Sequence, residues 1–186
     1  RGASGVCPEN TLTAFRAAEK LGVDAIELDV HLSADGEVVV MHDARVNRTT
    51  SGSGEIASLT LSAIREFDAG SWKSPEFAGE RVPTLDEVLA EIPLVVMVEI
   101  KAEGEEVVRR TTEIIKAAKA EKRVVLASFS DANLRWAADM LPETERLALG
   151  KPDTRRALEL AHVGAPSFRD VNGAFVNDLH RNDRAV

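Results

Sequence analysis

Short apolar runs alternate with amphipathic stretches along this chain, and no other feature of the sequence constrains its fold as strongly. The apolar runs are rich in β-branched residues, as in strands buried on both faces, and the stretches between them carry apolar residues at helical spacing. The pattern predicts strands at 24–30, 37–42, 93–101, 123–129 and 146–149, and helices at 10–21, 84–92, 104–120 and 131–141. Such strand–helix units imply a parallel sheet covered by helices, either an open doubly wound sheet or a closed barrel.

Polar residues at the strand ends favour the barrel. No Gly-rich phosphate-binding motif follows any of the strands, which weakens the nucleotide-binding open folds. In a (β/α)8 barrel the active site gathers at the C-terminal strand ends. The chain carries these acidic and basic side chains there: Glu27, Asp29, His42, Glu99 and Lys101. We therefore predict an α/β fold, specifically a (β/α)8 TIM barrel.

The domain organisation follows from the length. We predict one domain over residues 1–186, with a small Gly-, Ser- and Thr-rich insertion at about 44–80. Within the insertion, Trp72 and Phe77 would form either a small satellite core or a lid over the substrate. Because such barrels typically need ~250 residues, we expect an incomplete barrel at both ends of this sequence.

Charge and composition exclude several classes of protein. A formal charge of −8 and the lack of any Lys- and Arg-rich run argue against a nucleic-acid partner. Cys7 is the single cysteine, so the chain has no internal disulfide and no cysteine pair for zinc. No stretch reaches the ~18 apolar residues of a membrane span. We expect a cytoplasmic protein, with a signal peptide removed before Arg1 as the open alternative.

An acidic pair on the first predicted strand suggests a cation site. Glu27 and Asp29 are two residues apart, so they point to one face at a Cα separation of about 6–7 Å. Taken alone, such a pair would equally suit a solvent-facing strand. Glu99 lies in an otherwise apolar run, where a buried carboxylate needs a partner. An oxygen-only, carboxylate-rich site selects a hard cation, Mg²⁺ or Ca²⁺.

Nine short motifs, in order along residues 1 to about 130, resemble those of the glycerophosphodiester phosphodiesterases. They are Arg1-Gly2, Pro8-Glu9-Asn10-Thr11, Glu27-Leu28-Asp29, Asp35-Gly36, Met41-His42-Asp43, Arg48-Thr49-Thr50, Asp68-Ala69-Gly70, Pro83-Thr84-Leu85 and Glu99-Ile100-Lys101. The resemblance implies a metal-dependent (β/α)8 barrel that hydrolyses small-molecule glycerophosphodiesters to glycerol 3-phosphate and an alcohol. It also implies that Glu27, Asp29 and Glu99 bind one Mg²⁺ or Ca²⁺.

The same resemblance implies roles in catalysis and substrate binding. His42 would be one of two catalytic histidines, and Arg1 and Lys101 would face the phosphate. The alternatives drawn from the residues alone are a structural histidine paired with its neighbouring aspartate, and a Lys101 that only forms an ion pair. Glu9 would orient Arg1 near the phosphate or belong to a turn, and we expect Asn10 to be the N-cap of the first helix.

Two departures from the family pattern leave other functions open. The family motif begins His-Arg-Gly, so we expect a histidine directly before Arg1. The closing strands of the family, Trp-Thr-hydrophobic-Asn and Gly-Asp, are not found before Val186. The alternatives are an inactive barrel that binds phosphodiester or phospholipid headgroups, and a relative that cleaves lysophospholipids. The residues do not select between Mg²⁺ and Ca²⁺, and they assign neither the alcohol nor the oligomeric state.

Overall fold

The computed structural model describes residues 1–186 as a mixed α/β fold. Its strands are β1 Ala25–Leu32, β2 Val38–Val40, β3 Val95–Ile100, β4 Val124–Ser128, β5 Glu145–Gly150 and β6 Val163–Pro166. Its α-helices are α1 Leu12–Lys20, α2 Leu61–Arg65, α3 Leu85–Glu91, α4 Glu105–Ala117, α5 Asp131–Met140, α6 Thr154–Leu160 and α7 Gly173–His180. Two 3₁₀ turns cover Ile56–Ser58 and Pro75–Phe77. The predicted alternation of strands and helices is confirmed.

The six strands form one sheet in the order β2-β1-β3-β4-β5-β6. The four pairs from β1 to β6 are parallel, whereas β2 runs antiparallel to β1. The link between β1 and β2 spans only residues 33–37, and a parallel return needs a crossover of a dozen residues or more. A hairpin therefore forms at the Asp35-Gly36 turn. The sheet is open at β2 and β6, which agrees with the expected incomplete barrel.

Alternation of side chains along β1 and β3 separates the core from the site. One face carries aliphatic residues that pack, together with the helices, into a cluster of 22 buried side chains. The strand residues in this cluster from β1 and β3 are Ile26, Leu28, Val30, Val96, Val98 and Ile100. Because side chains alternate along a strand, Glu27, Asp29 and Glu99 project from the opposite face. The sheet therefore directs its acidic residues away from the helix-covered core.

Side-chain caps begin the helices next to this sheet. At α3 a capping box is present, with the Thr84 N–H donating to Glu87 Oε2 at 2.9 Å. At α1 the N-cap is Thr11, whose side-chain oxygen accepts from Ala14 N at 3.2 Å. Our assignment of Asn10 as the N-cap is wrong, because its side chain turns instead to β1.

The segment between β2 and α3 packs on a small core of its own. Seven buried residues form it: Val39, Met41, Val46, Ile56, Ile64, Ala69 and Val82. Trp72 lies outside this cluster with 38% of its surface exposed, and its indole N–H donates to Ala69 O. No helix of the chain is both long enough and apolar enough to cross a membrane.

A turn in this segment is organised by Asp68. Its carboxylate accepts hydrogen bonds from the N–H groups of Ser71, Gly79 and Gly70 at 2.7–2.8 Å. These bonds lower the pKa of Asp68 well below its usual value, with the bond from Ser71 as the largest cause. Gly70 is required here, because a Cβ at this position would lie 1.8 Å from Phe77 O.

Candidate functional site

Three carboxylates meet on the open face of β1 and β3. The parallel register places Asp29 beside Glu99, and Glu27 lies two residues earlier on the same face of β1. One ligand oxygen from each lies within 4.8 Å of the other two. Asp29 is fully buried, the Glu99 side chain is 12% exposed, and that of Glu27 is 35% exposed. The sequence-predicted acidic residues are thus brought together around one point.

Two basic residues border this acidic cluster. Lys101 Nζ lies 2.8 Å from Glu99 Oε1 and 3.5 Å from Asp29 Oδ1. Arg1 Nε lies 3.1 Å from Asp29 Oδ2, and the Arg1 backbone nitrogen is 2.6 Å from Glu27 Oε2. Burial raises the pKa of Glu99, and the ammonium group of Lys101 opposes that rise. The carboxylates therefore sit in an environment that penalises uncompensated negative charge.

One oxygen of Asp29 shows that this cluster fits a cation. Asp29 Oδ1 is buried and accepts no hydrogen bond. The Lys101 ammonium lies 3.5 Å from this oxygen, which makes an ion pair but not a hydrogen bond. A buried carboxylate oxygen normally has a partner. The donor set consists only of carboxylate oxygens, which suits a hard divalent ion such as Mg²⁺ or Ca²⁺.

Asn10 holds the other oxygen of Asp29. Its Nδ2 donates to Asp29 Oδ2 at 2.9 Å, and the Asn10 residue is 4% exposed. Its φ of 57° is left-handed, a conformation that asparagine tolerates better than most residues. Because Oδ2 is taken by Asn10 and Arg1, Oδ1 is the oxygen left for a ligand. The sequence analysis missed this contact.

His42 lies beside the cluster without touching its carboxylates. It follows Met41, whose N–H donates to Asp29 O at 2.9 Å, so the backbone fixes its place next to β1. His42 Nδ1 lies 2.8 Å from Asp43 Oδ1. The His42 carbonyl oxygen lies 3.1 Å from Nε2 of His31, and burial lowers the pKa of His31. A neutral His31 can donate this hydrogen bond, so His31, which is buried in β1, holds the backbone of His42.

Arg48 links His42 to the other end of the site. Its guanidinium contacts Asp43 and Glu9, and Glu9 Oε1 also accepts from Arg1 Nη1 at 3.2 Å. The hydrogen bond from Arg48 lowers the pKa of Glu9. Glu9 therefore contacts both arginines, while its part in orienting Arg1 near the phosphate stays a prediction. Arg48 itself was given no role from the sequence, although it stands in a family motif.

The first turn of the chain positions Arg1 by close packing. Gly2 has φ 69°, and a Cβ there would lie 2.7 Å from the backbone carbon of Ala14. The Ala3 N–H donates to Ala14 O at 3.0 Å, which fixes this turn against α1. Glycine after Arg1 is thus a requirement of the fold.

Comparison with known proteins gives consistent matches. The family model described as "Glycerophosphoryl diester phosphodiesterase family" matches residues 1–185. A glycerophosphodiester phosphodiesterase of Caldanaerobacter subterraneus is 43% identical over 148 residues, which is 76% of this chain and 61% of that protein. One from Bacillus subtilis is 44% identical over 97 residues, 48% of this chain and 33% of that protein. The chain thus spans between a third and two thirds of the length of these relatives.

A solved structure extends the likeness over the whole chain. It is an Oleispira antarctica phosphodiesterase in complex with the product sn-glycerol-3-phosphate. It superposes with a TM-score of 0.92 at 30% identity, covering 100% of this chain and 81% of the Oleispira chain. A glycerophosphodiester phosphodiesterase from Agrobacterium tumefaciens gives a TM-score of 0.77 at 29% identity, over 89% of this chain and 73% of its own.

Proposed function

The chain belongs to the glycerophosphoryl diester phosphodiesterase family, as its motifs predicted, and from this membership we propose that its acidic cluster belongs to a metal-dependent phosphodiesterase site. The reaction is hydrolysis of a glycerophosphodiester to glycerol 3-phosphate and an alcohol. The Oleispira neighbour was solved with sn-glycerol-3-phosphate, which supports this product.

The observation that carries the proposal is the meeting of three carboxylates from two strands. Glu27, Asp29 and Glu99 would hold one Mg²⁺ or Ca²⁺, since their ligand oxygens converge within 4.8 Å and Asp29 Oδ1 accepts no hydrogen bond. When bound, the ion supplies Lewis-acid polarisation of phosphoryl oxygens.

Two basic side chains next to the cluster suit an anionic substrate. Lys101 and Arg1 both lie within 3.5 Å of Asp29, and both are partly exposed, at 20% and 32% of their side chains. They would bind the phosphate and orient it over the carboxylates. Glu9 holds the Arg1 guanidinium from its far side, so this arginine is oriented before substrate arrives.

His42 would act in proton transfer. Its Nδ1 is engaged by Asp43, which leaves Nε2 as the nitrogen that exchanges a proton with substrate. At 31% exposure its side chain remains accessible from solvent. We assign to it protonation of the leaving alkoxide, as a general acid.

The test uses the full-length protein, stripped of metal and supplied with glycerophosphocholine. We expect release of choline and glycerol 3-phosphate only after addition of Mg²⁺ or Ca²⁺, and no product with excess EDTA. The appearance of glycerol 3-phosphate is followed by ³¹P NMR. Lysophosphatidylcholine as a parallel substrate separates the lysophospholipid-cleaving alternative. Binding of glycerol 3-phosphate without turnover of either substrate would refute the enzymatic proposal in favour of a binding protein.

A further inference from the structure

We propose that Arg48 is a positioning residue for the acid–base histidine: its guanidinium joins the carboxylates of Asp43 and Glu9 and thereby fixes the orientation of His42. The inference rests on the proposed function, because it assigns proton transfer to His42. Arg48 forms no hydrogen bond or ion pair with the acidic cluster or the imidazole, so its effect on His42 is exerted through Asp43.

The geometry of the guanidinium is bidentate towards both carboxylates. Arg48 Nε donates to Asp43 Oδ2 at 2.8 Å and Nη2 donates to Asp43 Oδ1 at 2.9 Å. On its other side, Nη1 donates to Glu9 Oε2 at 3.1 Å and Nη2 donates to Glu9 Oε1 at 2.8 Å. Only the planar fork of arginine can make these four contacts at once, because lysine offers a single point of attachment.

An ordinary surface ion pair would not justify the proposal, because such pairs contribute little. The Arg45–Glu55 pair in the same segment is of that kind, with one contact at 3.0 Å and side chains 56% and 61% exposed. Arg48 differs because it joins two carboxylates that are 33% and 13% exposed, in a network with His42. Networks with bidentate geometry are the exception to the rule for exposed pairs.

The consequence for His42 follows from charge. The hydrogen bonds from Arg48 hold the pKa of Asp43 well below its usual range, so Asp43 stays anionic. An anionic Asp43 can only accept, and Nδ1 of His42 must therefore donate to it. The tautomer with Nε2 free is fixed in this way. This is how outer partners commonly orient a functional histidine.

Loss of Arg48 would change both the orientation and the electrostatics of His42. The charged and titratable groups around the imidazole are Asp43, Arg48, Glu9 and, on β1, His31. Removing the one permanent cation among them favours the protonated imidazole.

The experiment compares Arg48→Met and Arg48→Lys in the full-length protein, with Arg45→Met as the matched control. Long-range ¹H–¹⁵N NMR reads the tautomer and titration midpoint of His42 without requiring turnover. Kinetics on glycerophosphocholine with added Mg²⁺ give kcat, KM and their pH profiles. A thermal melt of each variant separates misfolding from loss of positioning.

We expect Arg48→Met to lower kcat about 10–100-fold, the usual effect of losing an outer hydrogen-bond partner, and to move the alkaline limb of the kcat profile to higher pH. Arg48→Lys should keep that limb near its wild-type position because it keeps the charge, yet recover only part of kcat. The Arg45→Met control should match wild type in kcat and in the position of the alkaline limb.

A double-mutant cycle keeps the inference testable if Arg48→Met is unstable. In an Asp43→Asn background, Arg48→Lys should add little further loss of kcat, since both changes act on the same link. Wild-type kcat and an unchanged His42 midpoint in Arg48→Met would overturn the inference. So would fully additive losses in the cycle. If the wild-type protein turned over no diester, while Arg48→Met still shifted the His42 midpoint, the result would contradict the proposed function alone.

Discussion

Replacing Glu99 with glutamine removes one of the three clustered carboxylates while keeping the shape of the side chain. In the metal-free protein, two repulsions over 4.8 Å or less, from Glu27 and Asp29, would disappear. At an effective dielectric constant of about 20 these amount to at least about 7 kcal/mol together. The lost attraction to Lys101 over 2.8 Å amounts to about 6 kcal/mol on the same basis. The repulsion and the attraction act in opposite directions, so the metal-free variant should keep its fold.

The metal-bound state has no such compensation. Even outer-shell partners of metal ligands contribute about 10–100-fold to affinity, so loss of a direct ligand should lower affinity at least about 100-fold. That corresponds to about 2.7 kcal/mol of binding free energy. Isothermal titration calorimetry with Mg²⁺ and Ca²⁺ measures this change in affinity on the full-length protein. The matched control is Glu103→Gln, whose carboxylate lies outside the cluster and accepts from Ser130 Oγ at 2.6 Å. Wild-type affinity in Glu99→Gln would refute the assignment of Glu99 as a ligand.

Three further changes probe catalysis and the fold. His42→Ala should keep metal affinity by calorimetry but lose turnover of glycerophosphocholine, and a wild-type rate would exclude His42 as the acid. Asp68→Asn should lower the melting temperature at neutral pH. Hydrogen bonds lower the pKa of Asp68 in the folded state. The stabilisation by Asp68 is therefore present above its unfolded pKa of 3.8 and is lost as the pH falls below that value. A difference in melting temperature between the variant and wild type that does not shrink between pH 7 and pH 3 would contradict this. Gly70→Ala should lower the melting temperature strongly, since its Cβ would lie 1.8 Å from a carbonyl oxygen. Gly5→Ala, with nothing within 4 Å of its Cβ, should not.

The fold was predictable where local pattern and tertiary structure agree. The apolar run at 93–101 predicts a strand, and β3 occupies Val95–Ile100 within it. The expected burial on both faces is wrong, because only the helix-covered face of β3 is fully buried. The direction of β2 follows from the short link after β1, although the periodicity of Val38–Val40 alone carries no information on direction. Periodicity finds strands, whereas the length of a connection decides how they pair.

The acidic cluster was predictable for a similar reason. A spacing of two places Glu27 and Asp29 on one face, and Glu99 in an apolar run demands a partner. Asn10 was missed because its partner Asp29 lies 19 residues away. Arg48 was missed because Glu9 lies 39 residues away, although its other partner, Asp43, is only 5 residues away. Asparagine before a helix resembles an N-cap, yet Thr11 provides the cap and leaves Asn10 free to bind Asp29.

The central claim is that Glu27, Asp29 and Glu99 together hold one divalent cation, and a crystal structure of the full-length protein with Mn²⁺ tests it most directly. Manganese prefers the same oxygen ligands as Mg²⁺ and gives an anomalous signal that identifies its position. We predict a single strong anomalous peak bound by one oxygen from each carboxylate, with Asp29 Oδ1 among the ligands. A peak elsewhere, or none at these three side chains at saturating Mn²⁺, would contradict the account.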